Sequence, residues 1–274
     1  MWNDLAYASV SAAQKLDIRL PATGKGPFPV IVAIHGGAFR TGDKGDVQLS
    51  SVFEGVNRGY AVVSINYRLS GEAKSPKMVH DVKAAIRWVR AHAQTYNIDK
   101  NKIAVWGPSA GGHLAALLGT SGDVAELEDL SLGNPEESSR VQAVVDWFGP
   151  INFLTMDDQF HMLGVEGMLH NTPDSPESAI IGKPITQAAE EVKLIDPQTY
   201  ISADCPPFFI QHGTKDPLIP YLQSVVLADA LYKVIGKEKV QVALLEGAGH
   251  GGSLFDDPEN LHKVYAFLDK HLKR

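Results

Sequence analysis

Four short stretches of this chain hold residues that could together do nucleophilic chemistry. The first is Gly107-Pro108-Ser109-Ala110-Gly111, which fits the pattern G-x-S-x-G. An apolar, strand-like run precedes it and a helix-like run of small residues follows, the context in which a tight corner lifts a serine hydroxyl above its surroundings. Such a corner forces the serine into sparsely allowed backbone, so its neighbours must be small. Gly107 and Gly111 supply that clearance, and Gly112 is expected to let the next helix lie close to the sheet. The fixed φ of Pro108 suits an extended residue entering the turn. The helix is expected to start at the serine, with its positive end toward a developing oxyanion, and Gly119 stands where a C-terminal cap is expected.

A serine hydroxyl is a weak nucleophile without a base. Among ten histidines, His250 stands out, because Gly249, Gly251 and Gly252 surround it just past the last strand-like run. His80, His92 and His262 fall on helical patterns, and His113 is expected to pack against the sheet. His161 and His170 lie in the segment 151–200, where they suit substrate contacts better than proton transfer. The base needs a carboxylate to hold its tautomer and to stabilise imidazolium. Asp216, in His212-Gly213-Thr214-Lys215-Asp216-Pro217, is the preferred candidate; Asp146, near the end of an earlier strand-like run, is the rival, and Asp196 and Glu246 read as structural or solvated. The fourth stretch, His35-Gly36-Gly37-Ala38-Phe39, can turn two backbone N–H groups toward one point. With the N–H of Ala110, Gly36 and Gly37 would form an oxyanion hole, His35 bracing the loop. Phe39, Trp147 and Phe148 are candidate pocket walls.

These loops need a frame. Six short apolar runs, 30–34, 61–65, 103–106, 143–147, 207–211 and 240–245, are continuous rather than alternating, as in strands buried on both faces. Helical spacing appears at 78–95, 225–235 and 260–272, with Ser75-Pro76 as the start signal for the first. Alternating strands and helices predict an α/β domain with a mostly parallel sheet and helices on both faces. Residues 5–10 and 15–20 alternate loosely, as an antiparallel edge hairpin would. Residues 151–200 hold no convincing strand and read as a small, partly helical insertion over one edge of the sheet, within a single domain spanning 1–274.

The bulk numbers narrow the function further. Net charge is −7, with no basic stripe for a nucleic acid. No apolar run reaches the length of a membrane span. The start MWNDLAYASV lacks the basic and apolar regions of a signal peptide, leaving a cytoplasmic protein or a mature secreted form. The single cysteine, Cys205, makes no internal disulfide and reads as a buried, inert thiol. Asp43 and Asp46 form the best acidic cluster, yet they read as a solvated loop, so no metal and no cofactor is expected.

Taken together and in order, HGGAF, GPSAGG, HGTKDPLIP and GAGHGG resemble the α/β-hydrolase esterases of the hormone-sensitive-lipase-like group. NYRLS at 66–70 and VWGPSAGGHLAALLG are similar to the branch of BD-FAE-type carboxylesterases, acetyl-xylan esterases and feruloyl esterases. The resemblance implies the α/β-hydrolase fold, Ser109 as nucleophile, His250 as base, Asp216 as orienter, and oxyanion donors at Gly36, Gly37 and Ala110. It implies hydrolysis of short-chain acyl esters without a cofactor, with acetylated or feruloylated plant carbohydrate as one substrate class. Ala38 stands where many relatives have a third glycine, and Pro108 is an unusual occupant of the corner. Two other readings are an arylformamidase-type amide hydrolase and a catalytically inactive hydrolase-fold binding protein, although all three triad positions are filled. The oligomeric state stays open, a homodimer included.

Overall fold

The structure, a computed structural model, describes residues 1–273. Eight strands form one sheet: β1 (Trp2–Ala6), β2 (Lys15–Arg19), β3 (Phe28–Ile34), β4 (Ala61–Ile65), β5 (Ile98–Pro108), β6 (Ala143–Trp147), β7 (Phe208–Gly213) and β8 (Val240–Leu245). Their order across the sheet is β1-β2-β4-β3-β5-β6-β7-β8. β1 and β2 pair antiparallel, β2 runs antiparallel to β4, and every pairing from β4 to β8 is parallel. This is the α/β-hydrolase fold, with the carboxyl ends of β3, β5, β7 and β8 opening on the same rim.

The helices are α1 (Ser50–Phe53), α2 (Lys77–Ala91), α3 (Ala110–Thr120), α4 (Met156–Leu163), α5 (Pro176–Ile181), α6 (Ala189–Leu194), α7 (Leu222–Ile235), α8 (Ser253–Asp256) and α9 (Pro258–Leu272). They divide between two faces because strand residues alternate. Val30, Val32, Ile34, Ile103, Val105 and Ile210 face a core built with α2, α3 and α7. Ile31, Ala33, Ala104, Trp106, Val145 and Phe209 face a second core built with α1, α8 and α9. Both faces are buried, which explains why these runs read as continuous rather than alternating.

Several local expectations changed on folding. The first strand of the hairpin is 2–6 rather than 5–10, because Gln14 Oε1 accepts the N–H groups of Val10 and Ser11 and closes a turn there. Ser75 does not cap α2; Pro76 occupies the N-cap position and the buried Ser75 hydroxyl has no hydrogen-bond partner. Gly119 is not a cap either. It lies inside α3, where an added Cβ would stand 2.5 Å from Val144 and 2.8 Å from Phe208, so its role is close helix–sheet approach. Between β6 and β7 the described residues carry no strand. They carry α4, α5 and α6, and Phe153, Met156, Ile180, Ile185 and Val192 join the core on the α3 side.

Candidate active site

The serine corner owes its shape to three close approaches. β5 ends at Pro108, α3 begins at Ala110, and Ser109 between them has φ 56° and ψ −124°. A non-glycine residue at positive φ is strained, and such strain gathers at functional sites. The Ser109 N–H donates to Trp147 O at 2.8 Å, which ties the corner to the end of β6. A Cβ on Gly111 would stand 2.0 Å from Ile34 O, and one on Gly112 would stand 2.4 Å from Asp146 Oδ1. The glycines are therefore required by contact with β3 and β6. The free N–H groups of the first turn of α3 lie beside the serine.

Two further loops meet Ser109 at this rim. His250, in the loop after β8, has Nε2 2.9 Å from Ser109 Oγ and Nδ1 2.7 Å from Asp216 Oδ2. Asp216 follows β7 and is buried. Its Oδ1 accepts the N–H groups of Leu218 at 2.8 Å and Ile219 at 3.0 Å. Burial pushes the Asp216 carboxyl up, but hydrogen bonds from His212 and His250 outweigh it and hold the group well below the usual carboxylate range. His212, at the end of β7, also bears on Asp216. Its Nδ1 lies 2.7 Å from Ser224 Oγ, and its Nε2 lies 3.0 Å from Ile219 O and 3.3 Å from Asp216 Oδ2. The serine hydroxyl can donate to Nδ1, leaving Nε2–H for the aspartate and the carbonyl.

Asp146 stands apart from this contact. It lies beneath the first turn of α3, where Oδ1 accepts the Gly149 N–H at 3.0 Å and Oδ2 has no partner. Complete burial pushes its pKa up to about 7. His113, on the same helix, gives Nδ1 to Pro150 O at 2.7 Å, and burial lowers its pKa to about 4.

In the oxyanion loop one of the expected donors already has a partner. The Gly36 N–H donates to Gln48 Oε1 at 3.2 Å, so that donor is already engaged, and Gly36 does not line the cavity. Gly37, at φ 110°, starts a turn in which its carbonyl accepts the N–H groups of Arg40 and Thr41. A Cβ there would meet Thr41 O at 2.2 Å. Ala38 also has positive φ, 55°, and lines the cavity next to Gly37. His35 braces the loop as expected, with Nδ1 2.7 Å from Gly36 O and its ring stacked on Tyr67 at 4.5 Å.

The cavity in front of Ser109 has a volume of about 550 Å³. Trp147, Phe148, Phe255, Pro108 and Leu218 give it an apolar wall; Arg40, Thr41, Gln48 and Asp256 give it a polar side. Phe39 is not part of the wall: it is buried against His113 and Phe153. Cys205 is buried, with the Ser202 N–H 3.3 Å from its sulfur. Asp43 and Asp46 accept loop hydrogen bonds from Gly45, Asn66 and Gln48, and among the described residues no group of three His, Cys, Asp or Glu could hold a metal ion.

The profile of the BD-FAE family matches residues 16–231. The chain belongs to the BD-FAE family. The elements from β3 to β7 lie wholly within that match, with the serine corner and Asp216; β2 and α7 straddle its ends, and His250 follows it. The chain is 33% identical to LipM of Mycobacterium tuberculosis, a "probable carboxylic ester hydrolase", over 96% of this chain and 59% of the relative. It thus spans less than two thirds of the length of that protein, as it does for the esterases LipC and LipQ of the same organism. A solved truncated carbohydrate esterase from gut microbiota is 35% identical, with a TM-score of 0.87, over 100% of this chain and 96% of that one. Thermogutta terrifontis esterase 2 in its butyrate-bound form is 27% identical, with a TM-score of 0.78, over 97% of this chain and 93% of that one. No helix among the described residues is long and apolar enough to cross a membrane.

Proposed function

We propose that this chain is a serine carboxylesterase that hydrolyses short-chain acyl esters through an acyl-enzyme. The observation that carries the reading is the unbroken contact Ser109 Oγ–His250 Nε2 and His250 Nδ1–Asp216 Oδ2, at 2.9 and 2.7 Å, opening on a cavity with an apolar wall. Asp216 holds Nδ1–H, which leaves the Nε2 lone pair to take the serine proton. Ser109 Oγ attacks the ester carbonyl, and the tetrahedral oxygen accepts hydrogen bonds from the N–H groups of Ala110 and Gly37, with Ala38 in place of the occupied Gly36. His250 then donates its proton to the leaving alcohol. A water molecule, deprotonated by His250, attacks the acyl-enzyme and releases the acid. Loss of a single oxyanion donor costs about 3–4 kcal/mol of transition-state stabilisation.

The finer substrate reading is a short acyl group, acetyl to butyryl, with an acetylated plant carbohydrate as one substrate class and a feruloylated one as its aromatic counterpart. Two things support it: the likeness to a carbohydrate esterase and to a butyrate-bound esterase, and a cavity with an aromatic wall and a polar side suited to a sugar. Residues 151–200 act as a small cap within one domain covering 1–274. Ser109→Ala tests the reading. The variant is expected to unfold at the wild-type temperature and to lose at least about 10⁴-fold in kcat toward p-nitrophenyl acetate. Wild-type turnover in that variant would remove Ser109 from the mechanism. A series of nitrophenyl esters of rising chain length, with acetylated xylan and methyl ferulate, checks the substrate class. An N-formyl aryl amide in the same series separates amidase from esterase.

A further inference from the structure

His170 lies on the segment between α4 and α5, remote from the reacting atoms, yet it is 1% exposed and makes two ring hydrogen bonds. Its Nδ1 is 2.9 Å from Glu177 Oε2, and its Nε2 is 2.9 Å from Leu218 O. Leu218 is two residues past Asp216, gives its own N–H to Asp216 Oδ1, and lines the cavity. One residue earlier, Pro217 O accepts the Met168 N–H at 2.9 Å. Further along the same segment, Asp174 O accepts a hydrogen bond from Arg40 of the oxyanion loop. Residues 168–177 therefore strap the acid loop and the oxyanion loop from outside the sheet.

Proton counting gives His170 a specific state. A carbonyl oxygen only accepts, and an ionised carboxylate only accepts. Both ring nitrogens face acceptors, so both must carry hydrogen. We propose that His170, as an imidazolium paired with Glu177, is a positioning residue that holds the Asp216 loop and the Leu218 wall in their working places. This rests on the esterase reading above for its kinetic consequence, but not for its protonation state.

The surroundings favour the charged ring. Glu177 on α5 faces it directly; Asp157 on α4 lies close, its carboxylate accepting the N–H groups of His170 and Asn171 at 2.7 and 3.0 Å. The Phe160 ring of α4 stacks parallel at 6.4 Å, and the acid loop presents only the Leu218 carbonyl. Burial pulls the His170 pKa down, but the bond to Glu177 and its negative charge outweigh that, and the pKa stands above the ordinary histidine value. When the ring loses its extra proton, the remaining hydrogen is held best by the carboxylate. The Nε2 lone pair then faces the Leu218 carbonyl, and the strap lets go. Activity should fall on the alkaline side as His170 deprotonates.

Glu177→Gln separates this role from general packing. A glutamine amide can donate to Nδ1, so a neutral ring keeps Nε2–H on Leu218 O at every pH. The expected result is a kcat/KM profile for p-nitrophenyl acetate whose alkaline limb, present in the wild type, is displaced upward by at least 1 pH unit or is absent. His170→Phe, which removes the strap, should lower kcat by about 10-fold or more at all pH values and abolish the same limb. If both variants kept the wild-type limb, the proposal would be overturned. The protonation state is read independently in Ser109→Ala protein by ring ¹⁵N chemical shifts at pH 7. Two protonated ring nitrogens on His170 support the proposal, and a neutral ring overturns it. That readout stands even if the chain has no esterase activity, so the two readings fail separately.

Discussion

A buried carboxyl without a counter-charge has a measurable consequence. Asp146 keeps its proton to about pH 7 in the folded chain, whereas an aspartate in the unfolded chain ionises near pH ~3.9. Between those values the folded state binds more protons, so stability falls as pH rises and levels off above about 7. The full effect is at most about 4 kcal/mol. Asp146→Asn retains an acceptor for the Gly149 N–H and cannot ionise. Its unfolding free energy, measured by denaturant titration from pH 4 to 7, should lack this downward slope; an unchanged slope would show that Asp146 does not titrate there. Gln48 offers a second test at the same scale. It is exposed, so Gln48→Ala should leave stability within about 0.5 kcal/mol, while the released Gly36 N–H loosens the oxyanion loop. The expected result is a fall in kcat of about 10-fold with KM nearly constant.

Helix α3 carries two kinds of tight glycine, which a pair of substitutions distinguishes. Gly119 meets Val144 and Phe208 near the helix end, far from Ser109. Gly119→Ala should cost about 1–3 kcal/mol by overpacking and leave kcat close to wild type. A Cβ added at Gly112, within the first turn, would stand 2.4 Å from Asp146 Oδ1 and 2.8 Å from Trp147 O. Gly112→Ala must push that turn off β6, and with it the N–H of Ala110. Loss of kcat by about 100-fold or more should accompany the lost stability. Thermal unfolding and ester kinetics on both proteins make the comparison, and equal kinetic effects would contradict it.

At the scale of the molecule, a buried carboxylate reinforces the β2–β4 ladder that joins the antiparallel edge to the parallel sheet. Asp81 of α2 is fully buried. It accepts Arg68 Nε at 2.8 Å and Nη2 at 2.7 Å, the Arg68 N–H at 2.9 Å and Gln14 Nε2 at 2.7 Å. The β1–β2 turn, the loop after β4 and α2 thus share a single charge. Removing one partner of a buried pair leaves the other uncompensated, so Asp81→Ala should destabilise the chain by about 3–5 kcal/mol. Denaturant unfolding checks this; a change under about 1 kcal/mol would mean that water replaces the carboxylate.

Much of the frame was legible because buried strands announce themselves. The runs 61–65 and 143–147 match β4 and β6, whose residues are all buried, as a strand covered on both faces reads as a near-continuous apolar run; 240–245 matches β8 at the sheet edge, where only Val240 is buried. The serine corner was legible for a related reason: only glycines survive where α3 touches β3, and they must stand at fixed places around Ser109. The sequence by itself therefore determined the fold class, the parallel sheet and the three loops that carry the candidate chemistry. The tertiary structure alone decided which side chains those loops bring into contact. The rival carboxylates Asp146 and Asp216 differ in surroundings that are distant in the chain: one meets only Gly149, the other meets His212 and His250. Gln48 on the Gly36 N–H and His170 behind Leu218 were equally unreadable. Spacing along a chain reports local backbone geometry, whereas a hydrogen bond between residues 48 positions apart depends on how whole elements pack, and no short pattern records that.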